Sequence, residues 1–242
     1  NGCHLFQFNC ASDHAPMSIP AVRQAICYAI DRNAICEYLY SGLGEIPIDS
    51  IMAPSVAGYS SVGVVPYDPE KAKQLLAEAG YPDGFDLTIM TSAMYNRAVE
   101  MAEIIAEELK EIGINVNIEE LETAALKSKL KEGDYEACVY AWANDSAGPD
   151  NNVRPLFRTG SSSNRTHYSD EYIDNLMDEA LKETDSDKRL EMYKEIQTYI
   201  LDACPIVPCF YETISVGTNA KLQGFQPDTS GLHRFYDCYI EQ

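Results

Sequence analysis

The chain has 242 residues, enough to bury a sizeable apolar core as one large domain or two small ones. Its 38 acidic and 18 basic residues give a formal net charge of −20, which argues against nucleic acid or an anionic membrane surface as a partner. An acidic surface usually serves solubility, and a preference for cationic ligands is the functional alternative.

The first third of the chain predicts a strand, a helix and a long loop. Residues 4–10 (HLFQFNC) have strand character. Ser18 followed by Pro20 predicts the start of a helix that is interrupted near Asp31 and continues to Tyr40. Residues 42–67 hold much of the Gly, Pro and Ser, so they predict a long surface loop.

Residues 68–88 (DPEKAKQLLAEAGYPDGFDLT) combine several local signals in one stretch. Asp68 can cap a helix whose first position is Pro69, and Gly80 suits the left-handed turn that ends it. Residues 81–84 then predict a turn, and residues 85–90 predict a strand. The stretch therefore predicts a capped helix that leads into a strand.

The rest of the chain alternates between helical and strand periodicity. The predicted helices cover residues 96–112, 123–130, 170–182 and 187–201, and the predicted strands cover residues 114–120, 135–142 and 206–216. This alternation predicts an α/β fold, with a mixed sheet flanked by helices. In such folds ligands gather where strands end in loops, so the long loop that follows Trp142 is the predicted place for a site.

The eight cysteines contain no CxxC pair and fit no zinc pattern. Cys27 and Cys138 fall within a predicted helix and a predicted strand, where a buried free thiol is the expected state. Two disulfides are alternatives to a fully reduced chain. They would join Cys204 to Cys209, or Cys238 to Cys3 or Cys10.

Enzyme signatures are absent from the sequence. The four histidines have no HExxH spacing, and neither a GxSxG elbow nor a Gly-rich phosphate loop occurs. We therefore predict a non-catalytic chain without a metal or cofactor. A thiol hydrolase built from Cys, His and Asn is the weaker alternative, and a low-pKa thiol beside a histidine would support it.

Three stretches resemble one family in the same order along the chain. They are residues 22–35 (VRQAICYAIDRNAI), the helix and turn of residues 68–84, and residues 142–151 (WANDSAGPDN). Their sequences closely resemble those of the solute-binding proteins of oligopeptide and dipeptide ABC transporters, which form bacterial solute-binding protein family 5. The resemblance starts near residue 4, whereas these proteins normally carry about half their length before that point. We therefore expect one lobe of a longer parent chain.

The resemblance implies a second lobe of a type II periplasmic-binding-protein-like fold. In this view residues 1–14 form a hinge or return strand, residues 15–205 form the α/β ligand-binding lobe, and residues 206–242 return toward the first lobe. The implied function is capture of oligopeptides by hinge closure and delivery to ABC permease subunits. The implied location is extracytoplasmic, in the periplasm or as a lipoprotein. Nickel complexes, sugars and other solutes are the alternative ligands within the family.

The resemblance also assigns site residues. Asp145 matches the aspartate that pairs with the peptide's α-ammonium group, and a shielded carboxylate can hold an ammonium through charge-assisted hydrogen bonds. The structural alternative is that Asp145 or Asp150 only caps a turn or the next helix. Trp142 is predicted either as an aromatic wall of the site or as a core residue.

Residues around these positions complete the candidate set. Asn144 and Ser146 flank Asp145 in a segment of small residues that leaves a ligand room. Dipeptide-specific members place an arginine in the loop before the long helix, where residues 91–94 here read TSAM. A fixed-length dipeptide clamp is therefore not expected. Arg97, on the following helix, is the substitute candidate for a ligand carboxylate, and an exposed helix arginine is the alternative.

Overall fold

The computed structural model describes residues 2–241 apart from residues 12, 14, 42–45, 48, 64, 144–147, 212–215 and 229–232. The helices of the described chain are α1 (Pro20–Ala29), α2 (Arg32–Tyr40), α3 (Pro69–Glu78), α4 (Ala98–Lys110), α5 (Thr123–Glu132), α6 (Asp150–Phe157), α7 (Glu171–Lys182) and α8 (Ser186–Ala203). The strands are β1 (Gly2–Phe8), β2 (Ile46–Pro47), β3 (Phe85–Thr91), β4 (Ile114–Glu120), β5 (Ala137–Ala143), β6 (Ile206–Tyr211), β7 (Leu222–Gln223) and β8 (Tyr239–Ile240).

Six strands form one mixed sheet in the order β2-β6-β1-β5-β3-β4. β3 is parallel to β4 and to β5, whereas β1 is antiparallel to both of its neighbours, β5 and β6. The predicted α/β class with a mixed sheet flanked by helices is therefore correct. β7 and β8 form a separate two-stranded sheet.

Two apolar clusters cover the two faces of the sheet, because side chains alternate along each strand. Phe6 and Phe8 of β1 point into a cluster with α1, α2, α3 and α4. Leu5 points into the second cluster, which contains buried residues of α5, α6, α7 and α8. The sheet is thus the middle of three layers, as the alternating pattern predicts.

The signals in residues 68–88 act as predicted. The Asp68 side chain accepts a hydrogen bond from the Lys71 backbone N–H at 2.9 Å and caps α3, and Gly80 follows the helix with φ of 94°. Asp31 likewise caps α2 through the backbone N–H groups of Asn33 and Ala34. The predicted interruption at Asp31 is therefore a change from one helix to the next.

Glycine at position 84 is required by the close approach of two loops. Gly84 precedes β3 with φ of 76°, and a Cβ there would collide with the carbonyl oxygen of Gly113. Gly113, with φ of 88°, ends the turn after α4 as its sequence predicts. The two glycines let the parallel strands β3 and β4 begin side by side.

Segments at the two ends of the described lobe pair with each other. β1 and β6 are antiparallel neighbours, with Cys3 opposite Tyr211. Both strands lie inside the same sheet as β3, β4 and β5, so they contribute to the lobe itself. The division into residues 1–14, 15–205 and 206–242, with its hinge role, stays a prediction. β6 ends at Tyr211, and residues 212–215 of the predicted strand 206–216 lie outside the described chain.

Helix α6 was predicted as loop. It is eight residues long and contains Pro155, which sequence rules disfavour inside a helix. Arg154 holds it in place, because its Nε donates to Asp150 at 2.8 Å and its Nη1 donates to Asp178 of α7 at 2.8 Å. Asp150 is the first residue of this helix, and the helix has no side-chain capping hydrogen bond, so the capping alternative for Asp150 is wrong.

All eight cysteines fall within the described chain, and none of them is in a disulfide there. Neither of the two alternative disulfides is present among the described residues. Cys204 follows α8 and its thiol donates to the carbonyl oxygen of Leu201, whereas Cys209 lies in β6 and donates to the carbonyl oxygen of Val207. Cys238 precedes β8, whose sheet does not include β1.

In the part of the chain that the structure describes, no helix combines the length and apolarity that crossing a membrane requires.

Candidate functional site

The parallel strands β3, β4 and β5 all end at one edge of the sheet, which we call the carboxyl edge. It comprises residues 91–95, 120–123 and 141–143. β1 begins at the same edge, with Gly2 opposite Ala143, and β6 ends there. Ligands of open α/β sheets bind outside the carboxyl ends of strands, so this edge is the candidate site.

The predicted amine anchor follows this edge directly. Asp145, Asn144 and Ser146 belong to residues 144–147, which lie outside the described residues. β5 ends at Ala143, so the chain enters this segment at the carboxyl edge. The ligand role of these three residues stays a prediction.

Trp142 lies at the carboxyl edge between core and surface. It is half-buried, and its ring packs against the second apolar cluster. Its indole Nε1 is buried and finds no acceptor among the described residues. An unpaired buried donor costs about 1–3 kcal/mol, so this N–H is available to an acceptor outside the described part. Trp142 thus packs against the core, and its role as a wall of the ligand site stays a prediction.

Arg97 is engaged within the chain. Its Nη2 donates to the carbonyl oxygen of Leu39, its Nη1 donates to Glu100 at 3.2 Å, and its guanidinium lies 5.7 Å from the centre of the Tyr40 ring. The residue has φ of 59° and precedes α4. These contacts tie α4 to α2, and a ligand role for Arg97 stays a prediction.

The loop between β3 and α4 offers contacts that the sequence did not single out. Met94 is 69% exposed, and the Thr123 hydroxyl donates to its sulfur at 3.1 Å. The same hydroxyl lies 3.2 Å from the Ser92 hydroxyl, which joins this loop to the start of α5. Tyr95 packs edge-on against Tyr140, with ring centres 6.2 Å apart. A methionine in the loop that follows a predicted strand was the sequence signal that could have pointed to Met94.

The charges of the carboxyl edge are negative. Its segments contain Glu120 and Glu122, both exposed, and contain neither Lys nor Arg. The edge therefore favours a cationic group of a ligand over an anionic one.

Burial shifts the pKa of several thiols and of one imidazole near the sheet. Burial raises the pKa of Cys3 and of Cys209 to about 12, and lowers the pKa of His4 to about 4. Burial also raises the pKa of Cys138. A nucleophilic cysteine needs the opposite shift, so these groups give no support to the thiol-hydrolase alternative. Among the described residues, no group of three or more His, Cys, Asp or Glu is placed to hold a metal ion.

A groove of about 640 Å³ runs along the outer face of α4, lined by Tyr38, Ile104 and charged side chains. It follows the helix over most of its length instead of opening at the ends of the strands. We therefore do not identify it with the ligand site.

Residues 1–164 match the model of the bacterial extracellular solute-binding proteins, family 5. The chain is 31% identical over 237 residues to heme-binding protein A of Haemophilus influenzae, covering 95% of this chain and 43% of the relative. It is 30% identical over 234 residues to the dipeptide-binding protein of Escherichia coli, covering 93% of this chain and 44% of the relative.

A solved structure shares the fold over the whole chain. The periplasmic binding protein DppA of Helicobacter pylori, in complex with peptide STSA, superposes with a TM-score of 0.88 at 28% identity, covering 100% of this chain and 47% of that protein. The fold is thus one lobe of the type II periplasmic-binding-protein-like class. The chain spans less than half the length of these proteins. The chain belongs to the bacterial extracellular solute-binding proteins of family 5.

Proposed function

We propose that the chain is the second lobe of a non-catalytic solute-binding subunit of an ABC importer, and that its solute is an oligopeptide. The observation that carries the proposal is the carboxyl edge: three parallel strands end there, its charge is negative, and the chain continues from it into Asp145. A peptide offers the complementary group, its α-ammonium.

The proposed mechanism is hinge closure of two lobes over the ligand. A carboxylate at position 145 would lose contact with water as the second lobe closes, and a charge-assisted hydrogen bond to an ammonium strengthens in such surroundings. The half-buried Trp142 would provide an apolar wall beside it. The exposed Met94 would face the ligand's side chains from the β3–α4 loop.

The ligand's carboxyl end is not expected to be held by this lobe, because the carboxyl edge has no Lys or Arg. This favours peptides of variable length over a fixed dipeptide. Relatives and structural neighbours are named for heme, dipeptide and glutathione binding, so another solute of this range, a nickel complex or a sugar is the alternative.

The proposed partners are the first lobe of the parent chain and the permease subunits of the transporter. The proposed location is extracytoplasmic, where such subunits capture solutes before transport, with a lipid anchor as one form of attachment. Because a pocket between lobes buries a ligand from both sides, this lobe alone should bind solutes weakly.

Ligand profiling of the two-lobed parent protein tests the proposal. The protein is purified without denaturation, unfolded, and the released small molecules are identified by mass spectrometry. We expect peptides among them, and we expect synthetic copies to raise the melting temperature by several degrees at about 100 times Kd. The lobe alone is the matched control and should shift by less than one degree. Release of heme, a nickel complex or a sugar without any peptide would contradict the peptide assignment.

A further inference from the structure

The loop between α6 and α7 lines a small pocket whose charge is opposite to that of the chain as a whole. The pocket has a volume of about 310 Å³, and its basic side chains are Lys131, Arg165 and His167. None of the residues that line it in the described chain is Asp or Glu, whereas each of three other surface pockets contains at least two carboxylates. In a chain with a formal net charge of −20, a pocket with basic groups and no carboxylate is unexpected.

The lysine and the arginine of this pocket are unpaired. Among the described residues, neither Lys131 nor Arg165 forms an ion pair. Carboxylates nearby are already engaged: Asp134 pairs with another lysine of α5 at 2.5 Å, and Asp174 pairs with the arginine that precedes the loop at 3.3 Å. The two cations are therefore available to an anion.

Hydroxyl groups of the loop complete the lining of the pocket. Thr159, Ser161 and Ser162 stand beside the basic groups, and Ser162 is exposed and has no hydrogen-bond partner among the described residues. The volume equals that of about ten water molecules, and it lies at the low end of the range of about 300–1,000 Å³ that is typical of ligand pockets. The pocket therefore suits a small anion that accepts several hydrogen bonds.

The loop is held in place without its two cationic side chains. The Asn164 side chain donates to the carbonyl oxygens of Arg158 and Tyr168 at 3.2 and 2.8 Å. His167 Nε2 donates to the carbonyl oxygen of Leu130 at 3.2 Å, which joins the loop to α5. Because these bonds use neither cation, the pocket is preformed, and either cation can be exchanged without removing a bond that shapes the loop.

The pocket lies at the edge of the sheet opposite to the carboxyl edge. The backbone N–H of Cys10 donates to the carbonyl oxygen of Thr166 at 2.7 Å, two residues after β1 ends at Phe8. β1 begins at the carboxyl edge, and its seven residues span roughly 20 Å. The pocket is therefore separate from the candidate ligand site.

We propose that this pocket binds inorganic phosphate or the phosphate group of a small monoester, with Lys131 and Arg165 as its charged ligands. The planar guanidinium of arginine matches two phosphate oxygens at once, and the lysine ammonium adds a point charge. The hydroxyls of the loop can donate to the remaining oxygens. A phosphate group is favoured over chloride because only the former has several oxygens to satisfy these donors together.

Amide NMR of the ¹⁵N-labelled chain tests the proposal. Sodium phosphate is titrated against sodium chloride at constant ionic strength, and glycerol 3-phosphate is titrated in the same way. We expect the backbone amide signals of residues 159–169 and of Lys131 to shift and to saturate with one Kd of about 1 mM or lower for both phosphates. Shifts that do not saturate, or that spread over the whole surface, would overturn the proposal.

Three variants separate the pocket from the general effect of losing a positive charge. Lys131→Gln and Arg165→Gln should each weaken phosphate binding about tenfold or more, because each removes a charge-assisted hydrogen bond. Lys188→Gln, which removes an exposed lysine from α8, is the matched control and should change Kd by less than about twofold. Equal effects of the three variants would show that net charge alone attracts phosphate, and would overturn the site.

Vesicles distinguish a lipid headgroup from a free phosphate. Vesicles of phosphatidylcholine that contain phosphatidic acid are mixed with the chain and sedimented. We expect the chain to stay in the supernatant, because an anionic surface repels a chain with a formal net charge of −20. Co-sedimentation that Arg165→Gln abolishes, without any amide shift by inorganic phosphate, would overturn the assignment of a free phosphate.

Discussion

Glu108 of α4 should destabilise the folded chain at neutral pH. One oxygen of its carboxyl group accepts the backbone N–H of Asp31, while Oε2 is buried without a partner among the described residues. Burial raises the pKa of this carboxyl to about 8, Asp31 and Glu111 add to the rise, and Arg32 opposes it. We expect Glu108→Gln to stabilise the chain, because the amide keeps an acceptor and stays neutral without the uptake of a proton on folding.

The effect depends on pH in a defined direction. The folded pKa of about 8 lies above the unfolded value of 4.5, so the unfolded chain releases a proton that the folded chain keeps. Glu108 therefore costs no stability below pH 4.5, and its cost grows as the pH rises to about 8. The full shift corresponds to about 3.4 kcal/mol at pH 7. Because Glu108 keeps some contact with water, we expect about 1–2 kcal/mol.

Thermal unfolding at pH 5 and pH 7.5 measures this effect. Glu108→Gln should raise the melting temperature by about 2–6 °C at pH 7.5 and by less than about 2 °C at pH 5. Glu103→Gln, which removes an exposed carboxylate from the same helix, is the matched control and should change neither value by more than about 1 °C. An equal gain at both pH values, or a loss at pH 7.5, would refute the burial argument.

Three further predictions follow from single contacts. His4 stacks on a buried ring, and burial lowers its pKa from 6.5 to about 4. The free energy of unfolding should therefore fall by up to about 2.5 kcal/mol as the pH falls from 7 to 4.5, and His4→Phe should remove most of that loss in urea titrations. Gly84→Ala places a Cβ on the carbonyl oxygen of Gly113 and should lower the free energy of unfolding in urea by about 3 kcal/mol. Gly80→Ala, where no atom lies within 4 Å, should lower it by about 1 kcal/mol, and equal losses would contradict the collision. Met94→Arg should give the two-lobed protein about tenfold higher affinity for peptides with a free carboxylate than for their amides. Calorimetry that shows no such preference would contradict the placement of Met94 in the ligand site.

Local chemistry was sufficient to predict much of the fold. The cap at Asp68, the turn at Gly80 and the periodicity of α4 depend on residues a few positions apart, so they could be read from the chain. The order of the strands could not, because the place of β1 between β5 and β6 depends on contacts more than 100 residues apart. Helix α6 was missed for the same reason, since Asp178 of α7 holds Arg154 from a distance.

The strand end beside the candidate site was predictable, whereas the tertiary contacts around it were not. The end of the strand at Trp142 followed from apolar periodicity, and it lies at the carboxyl edge as expected. The engagement of Arg97 with Leu39 and the link between Thr123 and Met94 are tertiary contacts that no spacing rule reveals. Neither alternative disulfide is present among the described residues, because spacing alone cannot show which thiols meet.

Calorimetry on the two-lobed parent protein tests the central claim most directly, with one peptide in free and N-acetylated form and with wild type and Asp145→Asn. A hydrogen bond between charged groups contributes roughly 1.5–3 kcal/mol, so we expect either change to weaken binding about tenfold to a hundredfold. The two losses should not add, because both remove the same contact. An affinity within about twofold of wild type for Asp145→Asn would contradict the amine anchor, and the absence of binding by any peptide would contradict the proposed function.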